Sequence, residues 1–241
     1  MGFEPQKFFI GMIDFFSILL PGVIVTYVLR GDEGNGPLGG AYPDLENGEA
    51  VAFFLVVSYL LGHFVFLLGA VGLDGPVYDR LRDATEGQQQ ARVTQGKAPA
   101  RGWLRRASRL VVGKADKADN AQLQAIALKE GQLAGAAGAI NAFQWCKARL
   151  LFERPEALAK VERFEADSKF FRSLVVLFAV LAPAFFVGRA WLLGGLAMVM
   201  LFMAFWRYVD QRLKATTHAY WYLITLEADK RETAGRQPMS G

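Results

Sequence analysis

Apolar residues in this chain are gathered into long blocks rather than spread through short amphipathic stretches. The blocks lie at 8–29, 50–73 and 170–206, and the intervening segment 74–169 is polar and charged. A soluble core would distribute its apolar residues at the helical or strand period. Blocks of this length indicate helices that cross a bilayer, because about 20 apolar residues cover the hydrocarbon core.

The first two blocks predict two spans. Residues 8–29 contain Asp14 as their only charge, and residues 50–73 contain none. A cleaved signal peptide is the alternative for the first block, but the stretch is too long for the apolar region of such a peptide and lacks an A-x-A-like cleavage site. Residues 1–73 are therefore predicted to form an N-terminal transmembrane hairpin.

The third block predicts a second hairpin over 170–206. Uncharged runs at 173–188 and 190–206 flank Arg189, and each is slightly short for a full span. Arg172 and Arg207 at the outer ends can extend to the interface and lengthen the spans. We expect spans at 171–188 and 190–206, with a single bent helix or a re-entrant hairpin as the alternatives.

The distribution of charge predicts the orientation of the spans. Segment 74–169 holds 17 Lys+Arg against 12 Asp+Glu, whereas 30–49 holds one base and five acids. Base-rich loops stay in the cytoplasm. Both termini, the helical domain 74–169 and the tail 207–241 should therefore be cytoplasmic.

A basic amphipathic helix is predicted within 101–111 of the cytoplasmic segment. Its apolar stripe is surrounded by four arginines: Arg101, Arg105, Arg106 and Arg109. Such a helix near a membrane either lies on anionic lipid headgroups or forms a pocket for a phosphate-bearing ligand.

The remainder of the cytoplasmic segment predicts long helices. After a turn signal at 74–76, one helical pattern runs from Asp119 to about Phe152, and its small residues Gly131, Gly135 and Gly138 favour close helix packing. Helical patterns at 156–170 and from 207 to about 229 continue the third and fourth spans without a break, as a stalk. The end of the tail, after Thr233, is expected to be disordered.

Few polar side chains interrupt the first two spans, and these are the candidate pore or intramembrane residues: Asp14, Ser17, Ser58 and His63. A carboxylate inside a span is costly and points to function. With tilt, Asp14 and His63 could pair, either to hold two helices together or to line a pore and sense protons. Ser58 and Gly62 stand four apart, a spacing that favours close helix packing.

The residues that commonly carry catalysis are scarce. The two histidines, His63 and His218, lie in different segments, and the one cysteine, Cys146, excludes an internal disulfide. Gly-Lys pairs occur without the strand and the Ser or Thr of a phosphate loop. We expect no catalytic residue, no metal site, no cofactor and no direct binding of nucleic acid.

Two stretches, 14–22 (DFFSILLPG) and 164–172 (FEADSKFFR), look like those of uncharacterised bacterial membrane proteins. In layout, the chain resembles membrane effectors of bacterial antiviral systems, in which a cytoplasmic part senses a nucleotide or partner and the spans perturb the membrane. The resemblance implies the bacterial inner membrane as the location, and it transfers no residue roles.

The sequence therefore predicts an all-α integral membrane protein with four transmembrane helices and a cytoplasmic helical stalk. The leading functional hypothesis is a homo-oligomeric, pore-forming or gated membrane effector that receives a signal from an anionic nucleotide or a protein partner. The alternatives are a non-conducting membrane scaffold that recruits a cytoplasmic partner and a small transporter.

Overall fold

A computed structural model describes residues 5–31, 48–79 and 115–235, and the structural statements below concern these residues. Within them every regular element is helical. The predicted basic helix at 101–111, with Arg101, Arg105, Arg106 and Arg109, lies outside the described residues, as do most of the 30–49 loop and residues 236–241 of the tail.

The helices follow the apolar blocks. α1 spans Pro5–Arg30 and α2 spans Gly48–Gly69, which continues as a π-helical segment over Ala70–Asp79. α3 spans Ala115–Leu133, a 3₁₀ segment follows at Ala134–Ala139, and α4 spans Ala142–Glu153. α5 spans Pro155–Val187 and α6 spans Trp191–Gly235.

Four of these helices are long and apolar enough to cross a membrane, by length and composition. The candidate spans are Gly11–Arg30, Gly48–Asp74, Pro155–Val187 and Trp191–Thr233. Their outward faces carry large apolar side chains, which suits hydrocarbon because lipid offers no partner to polar groups. The predicted class, an all-α membrane protein with four transmembrane helices, is confirmed.

The chain divides into two compact units. The membrane unit comprises Met1–Arg80 and Ala166–Val209, and the bundle unit comprises Leu81–Glu165 and Asp210–Gly241. α5 and α6 each contribute residues to both units.

In the membrane unit, α1 and α2 approach until their backbones touch. A Cβ added to Gly22 would lie 1.8 Å from the Ser58 carbonyl oxygen, and one added to Gly62 would lie 2.0 Å from the Ile18 carbonyl oxygen. No side chain fits at either distance, so glycine permits this approach. The Ser58–Gly62 face lies in this contact.

A tight turn joins α5 to α6. Arg189 adopts a positive φ of 59°, and the Ala190 N–H donates to the Phe185 carbonyl oxygen at 2.9 Å. Beyond the turn, Gly194 lies so close to Phe186 that a Cβ would come within 2.7 Å of its ring. The guanidinium of Arg207 lies 5.6 Å from the centre of the Phe171 ring, so the two helices run antiparallel. The alternative of a single bent helix is wrong.

The bundle unit has its own core, built from α3, α4 and the parts of α5 and α6 that belong to it. Small side chains line the contacts and larger ones fill the centre: Ala121, Ala125, Ala142, Ala215 and Ala219 with Trp145, Cys146, Val161, Tyr220 and Leu223. Alanine at these contacts lets the helix backbones come close, and the larger side chains supply most of the buried apolar area.

The single helix predicted from Asp119 to about Phe152 is wrong, because the chain breaks in its glycine-rich part. α3 ends at Leu133, and Ala134 takes a positive φ of 45° that an α-helix cannot continue. Asn141 then caps α4, its Oδ1 accepting from the Gln144 N–H at 2.8 Å. An N-cap of this kind stabilises a new helix start by about 1 kcal/mol.

The turn predicted at 74–76 is also wrong. These residues are part of the π-helical segment Ala70–Asp79, so the polypeptide stays helical beyond the second apolar block. At the far end, α6 runs to Gly235, two residues past Thr233, and the rest of the tail predicted to be disordered lies outside the described residues.

Candidate functional site: a buried ion cluster in the membrane unit

Three polar side chains from distant parts of the sequence meet in the membrane unit, and we call them the ion cluster: Asp74, Arg172 and Tyr208. Arg172 Nη1 donates to Asp74 Oδ2, and the Tyr208 hydroxyl donates to Asp74 Oδ1 at 2.7 Å. Arg172 is 5% exposed and Tyr208 is 1% exposed. One carboxylate therefore binds two donors, and the two donors are almost completely withdrawn from solvent.

Each member of the cluster comes from a different element. Asp74 lies in the π-helical segment, Arg172 on α5 and Tyr208 on α6. π-helical turns are rare and occur often at functional sites. The cluster thus ties the end of the second span to both helices of the second hairpin.

Two residues of the second span make room for the arginine. The Arg172 guanidinium lies over the Phe66 ring, 4.5 Å from its centre. A Cβ on Gly69 would stand 3.0 Å from Arg172 Cγ, so a larger residue there would displace the arginine side chain. A cation over an aromatic face is stabilised by the ring quadrupole, most strongly where water is excluded.

The charge balance of the cluster makes it costly to disturb. Among the described residues, Asp74 is the ion-pair partner of Arg172 and offsets its buried positive charge. The Nε of Arg172 has no hydrogen-bond partner there. Removing one partner of a buried ion pair typically costs about 3–5 kcal/mol, since the other charge stays buried and unpaired. Such a pair contributes little net stability but penalises any arrangement that separates its members.

Asp14 forms a second ion pair in the same unit. Its Oδ1 lies 3.5 Å from Lys169 Nζ, with the two side chains 41% and 38% exposed. The geometry is that of an ion pair and not of a hydrogen bond, because Oδ1 has no hydrogen-bond donor in the described structure. The hydroxyl of Ser17, one turn further along α1, donates to the Asp14 carbonyl oxygen at 2.6 Å.

The structure does not form the Asp14–His63 pair that the sequence suggested. The His63 ring instead packs edge-on against Tyr59 of its own helix, with ring centres 4.5 Å apart. The reason is the register of α1 against α2: Gly62 meets Ile18, so Asp14 lies a full turn further along α1. Asp14 instead forms its ion pair with Lys169.

Two of the glycines predicted to pack helices in segment 74–169, Gly131 and Gly138, have open space around them. A Cβ added to Gly131 or Gly138 would meet nothing within 4 Å. Gly135 lies between them in the 3₁₀ segment, and the end of α3 at Leu133 removes the single helical face that the spacing assumed.

Charged residues of the bundle unit are used to hold its helices together. Lys147 pairs with Glu165, which also receives Arg212 Nη1 at 3.5 Å. Arg149 pairs with Glu227 at 2.8 Å. These pairs join α4 to α5 and α6.

Cys146 belongs to the same unit and is fully buried. Burial raises the pKa of its thiol to about 12, so the group stays protonated at neutral pH. A protonated, inaccessible thiol is a poor nucleophile. Among the described residues, no group of three or more His, Cys, Asp or Glu side chains could hold a metal ion.

Sequence reasoning missed the ion cluster. It interpreted Asp74 as part of a turn, used Arg172 only as the end of a span, and gave Tyr208 no role. One signal was available: a carboxylate just after the second span and an arginine at the start of the third lie on the same predicted side of the bilayer. Pairing across that side would have been a reasonable expectation.

Comparison of the chain with models of known protein families, with curated proteins and with solved structures finds no match in any of the three.

Proposed function

We propose that the chain is a homo-oligomeric membrane effector whose spans form a gated pore and whose bundle unit receives the activating signal. The observation that carries the proposal is the ion cluster on α5 and α6. Arg172 and Tyr208 belong to the two helices that also contribute to the bundle unit. A signal that moves either helix would act directly on the cluster.

The energy of the cluster suits a gate. Separating Arg172 from Asp74 costs about 3–5 kcal/mol if nothing replaces the lost partner. Shifting a two-state equilibrium from 1:99 to 99:1 requires about 5.5 kcal/mol of differential ligand binding. An intact cluster would therefore keep the resting state closed, and one ligand per chain could still open it.

A pore would require several copies. The buried hydroxyls of the first two spans belong to Ser17, Thr26 and Ser58, and Ser58 lies where α1 and α2 touch. The described interior of one chain is thus filled by helix contacts and offers too little polarity for an aqueous path. A path assembled between copies needs only a few polar side chains from each.

Flux from liposomes tests the proposal directly. The purified protein would be reconstituted with an entrapped dye or ion, and release would be measured for the wild type, Asp74→Asn and Tyr208→Phe. Both variants weaken the cluster and should raise basal release. Tyr222→Phe is the matched control, because it removes a hydroxyl from α6 in the bundle unit. If no variant releases the contents and the protein is a monomer by mass in detergent, the proposal is wrong.

A non-conducting scaffold is the second candidate. It is favoured by the exposed positions of Gly131 and Gly138, which leave a small-residue surface free for a partner in the bundle unit. Affinity capture from solubilised membranes separates the two functions. One stoichiometric soluble partner supports the scaffold, and self-association without a partner supports the pore.

The proposal includes a setting and a signal. On layout alone, the setting is the inner membrane of a bacterium with an antiviral system, with both termini in the cytoplasm. The signal is an anionic nucleotide bound by Arg101, Arg105, Arg106 and Arg109, or a protein partner. Reporter fusions at each terminus test the orientation. Replacing the four arginines by glutamine should abolish activation if they bind the signal and leave basal release unchanged.

A further inference from the structure

The outward faces of α2 and α6 differ in one respect. From Trp191 to Trp206, the exposed side chains of α6 are all apolar, as hydrocarbon requires. The exposed face of α2 is also mostly apolar, but it carries Tyr59 and His63 among its leucines, valines and phenylalanines. The apolar face suits lipid, whereas the face with an imidazole does not.

His63 lies well inside the apolar block. It is six residues, about 9 Å along the helix axis, from Gly69, which contacts Arg172 of the ion cluster. Its neighbour Gly62 is buried against α1, whereas the His63 side chain is exposed. Among the described residues, no hydrogen-bond partner reaches the imidazole, and the Tyr59 ring is its aromatic contact.

An imidazole facing lipid leaves both ring nitrogens unsatisfied, which is unfavourable in hydrocarbon. A neutral imidazole carries one donor and one acceptor, so it is complementary to a second imidazole. In a symmetric association of identical chains, a residue that faces the symmetry axis meets the same residue of the next copy. Neither lipid tails nor an apolar partner helix would satisfy the ring in this way.

We propose that the exposed α2 face around Val56, Tyr59, His63 and Leu67 is covered by the same face of a second copy of this chain, with the His63 rings of adjacent copies hydrogen-bonded to each other. This inference rests on the proposed homo-oligomeric function and identifies its subunit contact. The apolar outer face of α6 is then left to lipid.

Cysteine cross-linking in native membranes tests the contact. The chain's own Cys146 is replaced by alanine, and His63→Cys is compared with Phe202→Cys under a membrane-permeant oxidant such as iodine. Phe202 is the matched control because it is 65% exposed on α6 and lies six residues from Tyr208 of the ion cluster. We expect a disulfide-linked dimer from His63→Cys and none from Phe202→Cys. Equal cross-linking at both positions, or cross-linking at Phe202→Cys alone, overturns the proposal.

A second measurement covers the possibility that the cysteine perturbs the contact. His63→Gln keeps a donor and an acceptor, whereas His63→Leu removes both. The dissociation constant of the oligomer in detergent should rise about tenfold for His63→Leu, as for the loss of an interhelical hydrogen bond, and stay near the wild-type value for His63→Gln. Equal affinity for all three proteins contradicts the proposed contact.

The mass of the wild-type protein in detergent separates the two proposals. A monomer contradicts both the oligomeric function and this contact. An oligomer whose affinity is insensitive to His63→Leu, and which fails to cross-link through His63→Cys, contradicts the contact and leaves the proposed function standing.

Discussion

Removing Arg172 is the sharpest perturbation of the membrane unit. In Arg172→Met the apolar stem is retained, but Asp74 loses its ion-pair partner and keeps the hydrogen bond from Tyr208. Breaking a buried pair usually costs about 3–5 kcal/mol, and the lower value of about 3 kcal/mol applies here because the Asp74 side chain is 29% exposed. The free energy of unfolding in mixed micelles should fall by that amount.

A double-mutant cycle shows whether the loss comes from the ion pair. Asp74→Asn alone leaves the Arg172 charge buried and unpaired, so it should be at least as destabilising as Arg172→Met. Combining the two removes both charges, and the double variant should be about 2 kcal/mol more stable than the sum of the single effects predicts. Unfolding would be followed by circular dichroism in increasing SDS. Additive single effects would refute the reasoning, because they would show that the two side chains are not coupled.

Three further predictions concern other parts of the chain. Gly62→Ala should lower the free energy of unfolding by about 1–3 kcal/mol, because the added methyl group would overlap the backbone of α1. Gly195→Ala is the control: it has open space around it in α6 and should be neutral or stabilising. Thermal unfolding in micelles compares the two variants. Asp14→Asn should lower the free energy of unfolding by less than about 1 kcal/mol, since Asp14 lies near the start of the Gly11–Arg30 span and its 3.5 Å pair with Lys169 is not hydrogen-bonded. A larger loss in the same assay would contradict the assignment. The buried thiol of Cys146 should resist alkylation at pH 8 until the bundle unit unfolds. Because folding raises the pKa of this thiol from 9.0 to about 12, the free energy of unfolding should be constant below pH 9 and should fall as the pH rises above 9. Denaturation at several pH values would show this dependence.

The contrast between the two ion pairs of the membrane unit changes where function should be sought. From the sequence, Asp14 was the leading candidate because it is the one carboxylate inside an apolar block. In the structure its partner, Lys169, is more than a third exposed, whereas Arg172 of the ion cluster is almost fully buried. Burial determines how much a change of partner costs, so the ion cluster is the better place for a switch.

The bundle unit shows where local patterns fail to predict helix boundaries. The segment from Asp119 to Phe152 has helical periodicity throughout, yet the chain breaks at Ala134–Asn141 because a left-handed residue and an asparagine cap end one helix and start another. A hydrophobic period shows which face of a helix is buried, but it does not show that the helix is continuous. The glycines in this segment were interpreted as packing positions.

The sequence by itself determined that this is a helical membrane protein with four spans, because crossing a bilayer depends on the length and composition of a continuous segment, both of which are local properties. It also indicated that Ser58 and Gly62 form a close-packing face of α2, since that spacing lies on one helical face. Only the tertiary structure brought Asp74, Arg172 and Tyr208 together, separated Asp14 from His63 and left His63 exposed. Those outcomes depend on the register and rotation of helices against one another, which arise from contacts between residues as many as 134 positions apart.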